Sequence, residues 1–106
     1  MIQRGEIRWF RFSVPDKRRP VLILGQDDIL PSLHQIPVIP LTTQTRGLPW
    51  EVALTVNDGL PNACVLKPEW IRSIPREELG PWIASFPTHR WQEVRTALLT
   101  VLGFQV

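Results

Sequence analysis

Hydrophobic and polar residues alternate in short runs along the first part of the chain, a pattern typical of β-strands. Residues 6–12 alternate between polar and apolar side chains with an excess of aromatic rings, so they predict a half-buried strand. Residues 20–24 form a β-branched, apolar run that is typical of a strand buried on both faces. The inward side chains of the first strand are expected to be Ile7, Trp9 or Phe10, and Phe12.

The middle of the chain predicts further strands separated by turns. Residues 27–33 are expected to form a loop or a single helical turn. Residues 36–41 are apolar, but Pro37 and Pro40 each lack a backbone donor, so this segment is predicted to be an edge strand or to carry a bulge. The other predicted strands are 50–56, 63–66 and 70–74, with a turn at 57–59.

The end of the chain changes to the period of a helix. Apolar residues recur at spacings of three and four and predict one amphipathic helix over residues 89–102. Thr88 is expected as its N-cap, and Gly103 with Phe104 fits a left-handed helix stop with a hydrophobic contact. Strands followed by one helix predict an α+β, mainly β domain of the small-barrel type. The apolar stripe consists of Trp91, Val94, Ala97, Leu98, Val101 and Leu102.

The size and composition of the chain favour a single folded domain over residues 1–106. Hydrophobic residues make up 43% and charged residues 21% of the chain, as in folded globular proteins and unlike disordered ones. The longest apolar runs are far shorter than the roughly 20 residues of a membrane span, and no signal peptide is evident. The single cysteine, Cys64, agrees with a reducing compartment. The expected location is therefore the cytoplasm, without membrane contact.

Positive charge is concentrated near the N-terminus, although the net charge is only +2. The first 20 residues hold six cations and two carboxylates, a local balance of +4, so the rest of the chain balances at −2. A basic patch of this kind can attract a polyanion, but the count alone favours ordinary solvated surface charge.

Several classes of chemistry lack their usual residues in this sequence. The only histidines, His34 and His89, have no cysteine, carboxylate or second histidine at metal-ligand spacing, so neither a metal site nor a cofactor is expected. Gly-rich phosphate loops and the Gly-x-Ser-x-Gly elbow are also missing. The adjacent acids at 27–28 and 77–78 are interpreted as surface residues, because neighbouring strand side chains point to opposite faces.

Three segments, in order, resemble the MazF/PemK family of toxins. Residues 4–12 are similar to the opening strand of the family, and residues 19–24 (Arg-Pro-Val-Leu-Ile-Leu) to its second strand. Residues 40–52 resemble its strand-end hydroxyl motif and the loop that follows, which is the most specific of the three matches. Residues 64–66 and 70–74, followed by Leu79 and Gly80, resemble the region where the family usually has a Ser-Val pair and an Ile-Arg-Thr-Ile-like strand. With the closing helix, the resemblance covers almost the whole chain.

The resemblance implies an SH3-like barrel that forms a homodimer, and a toxin that cleaves single-stranded RNA at selected sequences without a metal ion. It also implies a cognate MazE-like antitoxin that inserts into the RNA groove. The catalytic residues that it implies are an arginine just before the Pro-Val-Leu strand, here Arg19, and the first hydroxyl of the Thr-Thr-Gln motif, here Thr42. The expected products are a 2′,3′-cyclic phosphate and a 5′-hydroxyl.

The chemistry of these residues fits such a reaction. Arg19 can grip the scissile phosphate, and Thr42 can add a hydroxyl hydrogen bond or orient the 2′-hydroxyl, although arginine is a poor general base. Without the resemblance, the favoured interpretation of Arg19 is a surface salt bridge at a strand start, and that of Thr42 is a strand-end hydroxyl bonded to backbone. Further candidates for RNA binding are Lys17, Arg18 and Arg46 at phosphates and Thr43 and Gln44 at bases.

Two departures and two alternatives accompany this interpretation. The loop 13–18 is shorter than in many family members, which bears on RNA specificity and antitoxin fit, and Cys64 replaces a common serine. A CcdB-like gyrase poison shares the architecture, but its C-terminal Trp-Gly-Ile differs from residues 102–106 here. The other alternative is a non-catalytic barrel that binds RNA or a peptide through its five tryptophans, most of which are expected in the core or in a dimer interface.

Overall fold

In the part of the chain that the computed structural model describes, seven short strands form one curled, half-barrel sheet, and a C-terminal helix packs against it. The structure describes residues 2–12 and 18–106. The sequence prediction of a mainly β fold with a closing helix is confirmed. The strands are β1 (Glu6–Arg11), β2 (Arg18–Ile23), β3 (Gln35–Thr42), β4 (Val52–Leu54), β5 (Cys64–Leu66), β6 (Arg72–Pro75) and β7 (Trp82–Ser85), and the helix is α1 (Trp91–Leu102).

Strand β3 lies at the centre of the sheet. The strand order is β4-β5-β3-β2-β1-β7, with β6 also paired to β3, and every pairing is antiparallel. One side of β3 pairs with β2, and the other pairs first with β6 and then with β5. The expectation that this proline-containing segment forms an edge strand or carries a bulge is therefore wrong.

The two prolines of β3 are tolerated because the N–H that each lacks would point just beyond the end of a neighbouring strand. The N–H and C=O of one strand residue point to the same side. The carbonyl of Pro37 accepts the N–H of Leu24, just after β2 ends, and the carbonyl of Pro40 accepts the N–H of Lys67, in the gap between β5 and β6. Neither missing donor therefore interrupts a regular ladder.

Both faces of the central strands are buried, as the apolar run 20–24 predicts. Leu22 and Ile39 belong to one hydrophobic cluster, whereas Val21 and Ile23 belong to a second cluster on the opposite face. The same division explains β1, where Ile7 packs in the first cluster and Phe10 in the second, together with Phe12 just after the strand. Of the two candidates for the inward position, Phe10 is buried and Trp9 is only half-buried.

Several strands differ from their predicted bounds. The predicted strand 50–56 is only Val52–Leu54, and Trp70 lies in a 3₁₀ turn (Pro68–Trp70) before β6 rather than in a strand. Strand β7 was not predicted, because it is short and only Ala84 of its residues is buried. It forms through tertiary pairing with β1, which sequence periodicity does not reveal.

The helix and turns agree with the sequence except at the helix start. A 3₁₀ turn (Thr88–Arg90) precedes α1, so the helix begins two residues later than predicted and Thr88 is not its cap. Gly103 ends α1 with φ +84°, as predicted, but Phe104 is exposed rather than packed. The expected turns are present, one at Leu30–Ser32 and one that ends at Gly59. In the part of the chain that the structure describes, no helix is long and apolar enough to cross a membrane.

The position of Ile39 in the central strand generates a stability prediction. Ile39 is fully buried between β2 and the core, so Ile39→Ala leaves a cavity and should lower the free energy of unfolding by about 2–5 kcal/mol. Chemical denaturation measures the change. The control is Val56→Ala at a side chain that is 63% exposed, which should change stability by no more than about 0.5 kcal/mol. Equal effects of the two substitutions would contradict the burial of Ile39.

Candidate functional site

The pairing of β2 with β3 brings Arg19 and Thr42 together. Val21 pairs with Pro40 in the antiparallel register, so the same register continued by two residues places Arg19 opposite Thr42. Directly opposed residues share a face, and so do residues two apart along a strand. Arg19 and Thr42 therefore lie on the same face of the sheet, at the start of one strand and the end of the next.

Both residues line a groove of about 400 Å³ at this end of the sheet. The groove has apolar walls and a polar rim of guanidinium, hydroxyl and amide groups. Of the residues that the structure describes, none of those lining it is a carboxylate or a histidine. Its lining consists of Trp9, Arg18, Arg19, Pro20, Leu41, Thr42, Thr43, Gln44, Leu60, Pro61, Asn62 and Cys64.

The Thr42 hydroxyl is partly engaged by the backbone. Its Oγ1 accepts a hydrogen bond from the N–H of Gln44 at 3.2 Å, in the pattern of a short side-chain turn. The hydroxyl acts as the acceptor in this bond, so its own hydrogen can still be donated to a ligand oxygen in the groove. The structure thus contains the backbone hydrogen bond that is expected if Thr42 is only a strand-end hydroxyl. The same bond holds the Thr42 oxygen in a fixed position at the groove.

Two arginines at the start of β2 rest on tryptophan rings. The guanidinium carbon of Arg18 lies 4.5 Å from the Trp9 ring centroid, and that of Arg19 lies 5.4 Å from the Trp70 ring centroid. Among residues 2–12 and 18–106, no carboxylate is within ion-pair distance of either guanidinium. Stacking on aromatic rings orients these cations without neutralising them, so they can attract an anion.

Arg19 also borders a second groove, which lies on the sheet face that Arg19 shares with Pro40. This groove has a volume of about 420 Å³ and is lined by Phe12, Arg19, Pro40, Trp70 and Arg72. We call it the Trp70 groove. Arg19 is thus positioned between two concave surfaces.

The loop that follows β3 is held by one carboxylate, Glu51. Its oxygens accept hydrogen bonds from the Thr45 hydroxyl at 2.7 Å and from the backbone N–H groups of Arg46 and Gly47, each at 3.1 Å. The Lys67 ammonium donates to the same carboxylate at 2.9 Å. Because the loop begins with Thr43 in the groove, Glu51 fixes the conformation of the chain just beyond the candidate site.

Lys67 is a buried cation, with only 2% of its side chain exposed. Burial alone would lower the pKa of its ammonium group, but hydrogen bonds to Glu51 and Glu69 outweigh that effect and raise the pKa. The hydrogen bond from Lys67, followed by that from Thr45, lowers the pKa of Glu51 to about 2. This ion pair was not predicted, because a lysine after a buried strand is indistinguishable in sequence from a surface lysine.

The structure brings together most of the residues that the sequence singled out. Arg18, Thr43 and Gln44 line the groove with the Arg19–Thr42 pair. Arg46 does not line it, since its backbone is bonded to Glu51 and its side chain is exposed. Lys17 lies outside the described residues. Asn62 lines the groove but was missed, because its turn sequence gave no indication of where the turn packs.

Neither the cysteine nor the histidines provide a base in the groove. Burial, with a smaller effect of Asp58, raises the pKa of the Cys64 thiol to about 11, so Cys64 is a neutral thiol at physiological pH. His34 and His89 are both exposed, and neither lines the groove. In the described part of the chain, no three histidine, cysteine, aspartate or glutamate side chains are grouped to hold a metal ion.

Comparison with known proteins relates this groove to a family. A family model for the PemK-like, MazF-like toxin of type II toxin–antitoxin systems matches residues 3–102. The chain belongs to the PemK/MazF toxin family. A sequence relative of this PemK/MazF toxin, "Probable endoribonuclease MazF2" of Mycobacterium tuberculosis, is 37% identical over 103 residues, which are 96% of this chain and 99% of the relative.

Solved structures agree with the fold of this PemK/MazF toxin. "Mycobacterium tuberculosis toxin MazF-mt6" superimposes with a TM-score of 0.86 at 29% identity, covering 95% of this chain and 99% of that one. "MazE-MazF (Form-III) from Deinococcus radiodurans" gives a TM-score of 0.81 at 26% identity, covering 98% of each chain. The resemblance noted in the sequence is therefore confirmed.

The contacts of Glu51 predict how the stability of this PemK/MazF toxin depends on pH. Its pKa of about 2 lies below the ordinary value of 4.5, so the native state favours the ionised carboxylate. The stability that it contributes is fully present above about pH 4.5 and is lost as the pH falls towards 2. Glu51→Gln should lower the denaturation midpoint at pH 7 and flatten its decline between these two pH values.

The matched control for this measurement is Glu77→Gln, at an exposed glutamate in the 3₁₀ turn Arg76–Glu78 that does not pair with Lys67. Its midpoint should follow the wild-type curve at every pH. If Glu51→Gln also retained the wild-type curve, the carboxylate would not be the group that holds the loop.

Proposed function

We propose that this toxin is an endoribonuclease that cleaves single-stranded RNA at selected sequences, with no metal ion in the chemical step. The observation that carries the proposal is the pairing of β2 with β3, which sets an unneutralised guanidinium and a hydroxyl donor on one face beside a cationic groove. A relative that matches nearly all of the chain is itself named an endoribonuclease.

The proposed reaction uses the nucleophile that RNA carries. The 2′-oxygen of a ribose attacks the adjacent phosphorus in line and loses its proton, and the bond from phosphorus to the 5′-oxygen of the next nucleotide breaks. The 5′-oxygen takes up a proton, so the products are a 2′,3′-cyclic phosphate and a 5′-hydroxyl. The protein then has to hold the reacting atoms in line and stabilise charge on the phosphate oxygens.

Arg19 and Thr42 are the groups proposed to do this. The planar guanidinium of Arg19 can donate two parallel hydrogen bonds to the scissile phosphate, and the Thr42 hydroxyl can donate a third. A guanidinium stays protonated and a neutral hydroxyl is a very weak base, so both residues are assigned to charge stabilisation and positioning rather than to proton removal.

The remaining groove residues are proposed to bind RNA outside the reacting atoms. Thr43, Gln44 and Asn62 offer hydroxyl and amide groups that can pair with base edges of an unpaired strand. Arg18 is proposed to contact a backbone phosphate, and the sequence candidates Lys17 and Arg46 are proposed for the phosphates further along.

We further propose that the protein acts as a cytoplasmic homodimer and is inhibited by a cognate MazE-like antitoxin. Among the described residues, the groove is lined by arginines and by no carboxylate, so it attracts an acidic peptide for the same electrostatic reason that it attracts RNA. An antitoxin segment in this groove would therefore exclude the substrate directly.

The role of Arg19 can be tested with purified protein and a mixed-sequence RNA in EDTA. The wild type should cleave and leave cyclic phosphate ends, whereas Arg19→Ala should cleave at least about 10²-fold more slowly, because the phosphate loses its main charge-assisted donor. The control is Arg95→Ala, at an exposed arginine on α1. Equal rates for Arg19→Ala and the wild type would remove the assignment, and no cleavage by the wild type in EDTA would overturn the metal-independent mechanism.

The hydroxyl role is tested by two substitutions at Thr42. Thr42→Val keeps the shape but removes the donor, so the cleavage rate should fall by about 10²-fold, whereas Thr42→Ser should retain most of the activity. The same assay on Thr43→Val should show a smaller loss. A larger loss at Thr43 than at Thr42 would transfer the catalytic hydroxyl to Thr43.

A further inference from the structure

The Trp70 groove is the strongest unassigned feature of the surface. We propose that it is a second nucleotide subsite, in which one RNA base stacks on the Trp70 ring while Arg72 binds the neighbouring phosphate. This inference rests on the proposed ribonuclease function. It concerns the part of the RNA next to the phosphate that Arg19 and Thr42 are proposed to hold.

The groove is built from neighbouring strands of one sheet face. Arg72 at the start of β6 pairs with Val38 of β3, and Pro40 lies two residues further along the same face of that strand. Phe12 follows β1 and packs in the cluster that covers this face. The side chains of β1, β2, β3 and β6 therefore form a continuous surface, and Arg19 lies at its border with the first groove.

Trp70 is held in place, although its ring is available. Its side chain is 41% exposed, while its backbone is fixed in a 3₁₀ turn by a hydrogen bond from the Trp70 N–H to the Lys67 carbonyl at 2.8 Å. Lys67 itself is buried and paired with Glu51 and Glu69. An exposed aromatic ring on a fixed backbone suits base stacking, because little conformational entropy is lost when a base binds.

The charges of the groove favour a polyanion as its occupant. The Arg72 guanidinium carbon lies 5.2 Å from the Phe12 ring centroid, and within residues 2–12 and 18–106 no carboxylate pairs with Arg72 or Arg19. Two unneutralised cations beside an exposed ring match the alternation of phosphate and base along a single strand. A symmetric contact centred on this groove with a second copy of the chain would instead bring like charges together.

The test begins with the cleavage site that the wild-type enzyme selects. A short RNA containing this site is made with a single 2′-deoxyribose at the attacking position, so that it binds without being cut, and binding is measured by fluorescence anisotropy. Trp70→Ala should weaken binding by about ten-fold, since stacking on one ring contributes that much or more. Trp70→Phe should retain most of the affinity. Trp82→Ala, at a ring that is 55% exposed on β7, should leave it unchanged.

Abasic scanning identifies the stacked nucleotide. Each base of the same RNA is removed in turn, and at one position the loss should weaken binding to the wild type but cause no further loss in Trp70→Ala. As a second variant that leaves the ring intact, Arg72→Gln should reduce the slope of log affinity against log salt by about 0.7, the value for one phosphate contact in a single strand.

The outcomes separate this inference from the function on which it rests. If the wild type neither cleaves nor binds RNA, the ribonuclease proposal fails and the subsite fails with it. If the wild type cleaves RNA but Trp70→Ala binds as tightly as Trp82→Ala, the subsite alone is overturned. The subsite is also overturned if sedimentation shows that Trp70→Ala separates two copies of the chain while the separated copies bind RNA with wild-type affinity, because the groove is then a contact between copies.

Discussion

The antiparallel register between β2 and β3 is the constraint on which the candidate site depends. A shift of one residue would turn Arg19 to the opposite face from Thr42 and would also invert every buried side chain of β2. Because Val21, Leu22 and Ile23 are all fully buried, neither face of this strand tolerates such a shift. The hydrophobic core thus fixes the position of two polar residues that contribute little to it.

Compared with a well-packed apolar pair, the buried Lys67–Glu51 ion pair contributes more to geometry than to stability, whereas removing Glu51 alone leaves the Lys67 charge uncompensated. Removing two charges from water costs free energy that their attraction only partly offsets, so a buried pair is weak evidence of a stabilising role. The Glu51 carboxylate nevertheless accepts hydrogen bonds from hydroxyl and backbone groups of the loop after Thr42, and the carbonyl of its partner Lys67 accepts the backbone N–H of Trp70. Lys67 and Glu51 therefore anchor one segment at each groove, and neither of the carboxylates that pair with Lys67 is within ion-pair distance of Arg19 or Arg72.

The sequence predicted those features that depend on local pattern, and it failed where a partner far along the chain decides. The buried strand 20–24, the closing helix and the Gly103 stop follow from periodicity and backbone preference. Arg19 and Thr42 were identified only through the family resemblance, because a strand-start arginine and a strand-end threonine are common. Strand β7, the central place of β3 and the burial of Lys67 depend on pairings between distant segments, which no short window of sequence contains.

The position of Arg19 links substrate binding to the proposed chemistry. RNA supplies its own nucleophile, so the rate depends on how well the 2′-oxygen, the phosphorus and the departing 5′-oxygen are held in line. In the proposed site, a phosphate bound at Arg19 would have one neighbouring nucleotide in the first groove and the other in the Trp70 groove, because Arg19 borders both. Holding the strand on both sides of the phosphate restricts rotation about its bonds. Affinity for the flanking nucleotides and speed of cleavage are then two consequences of the same contacts.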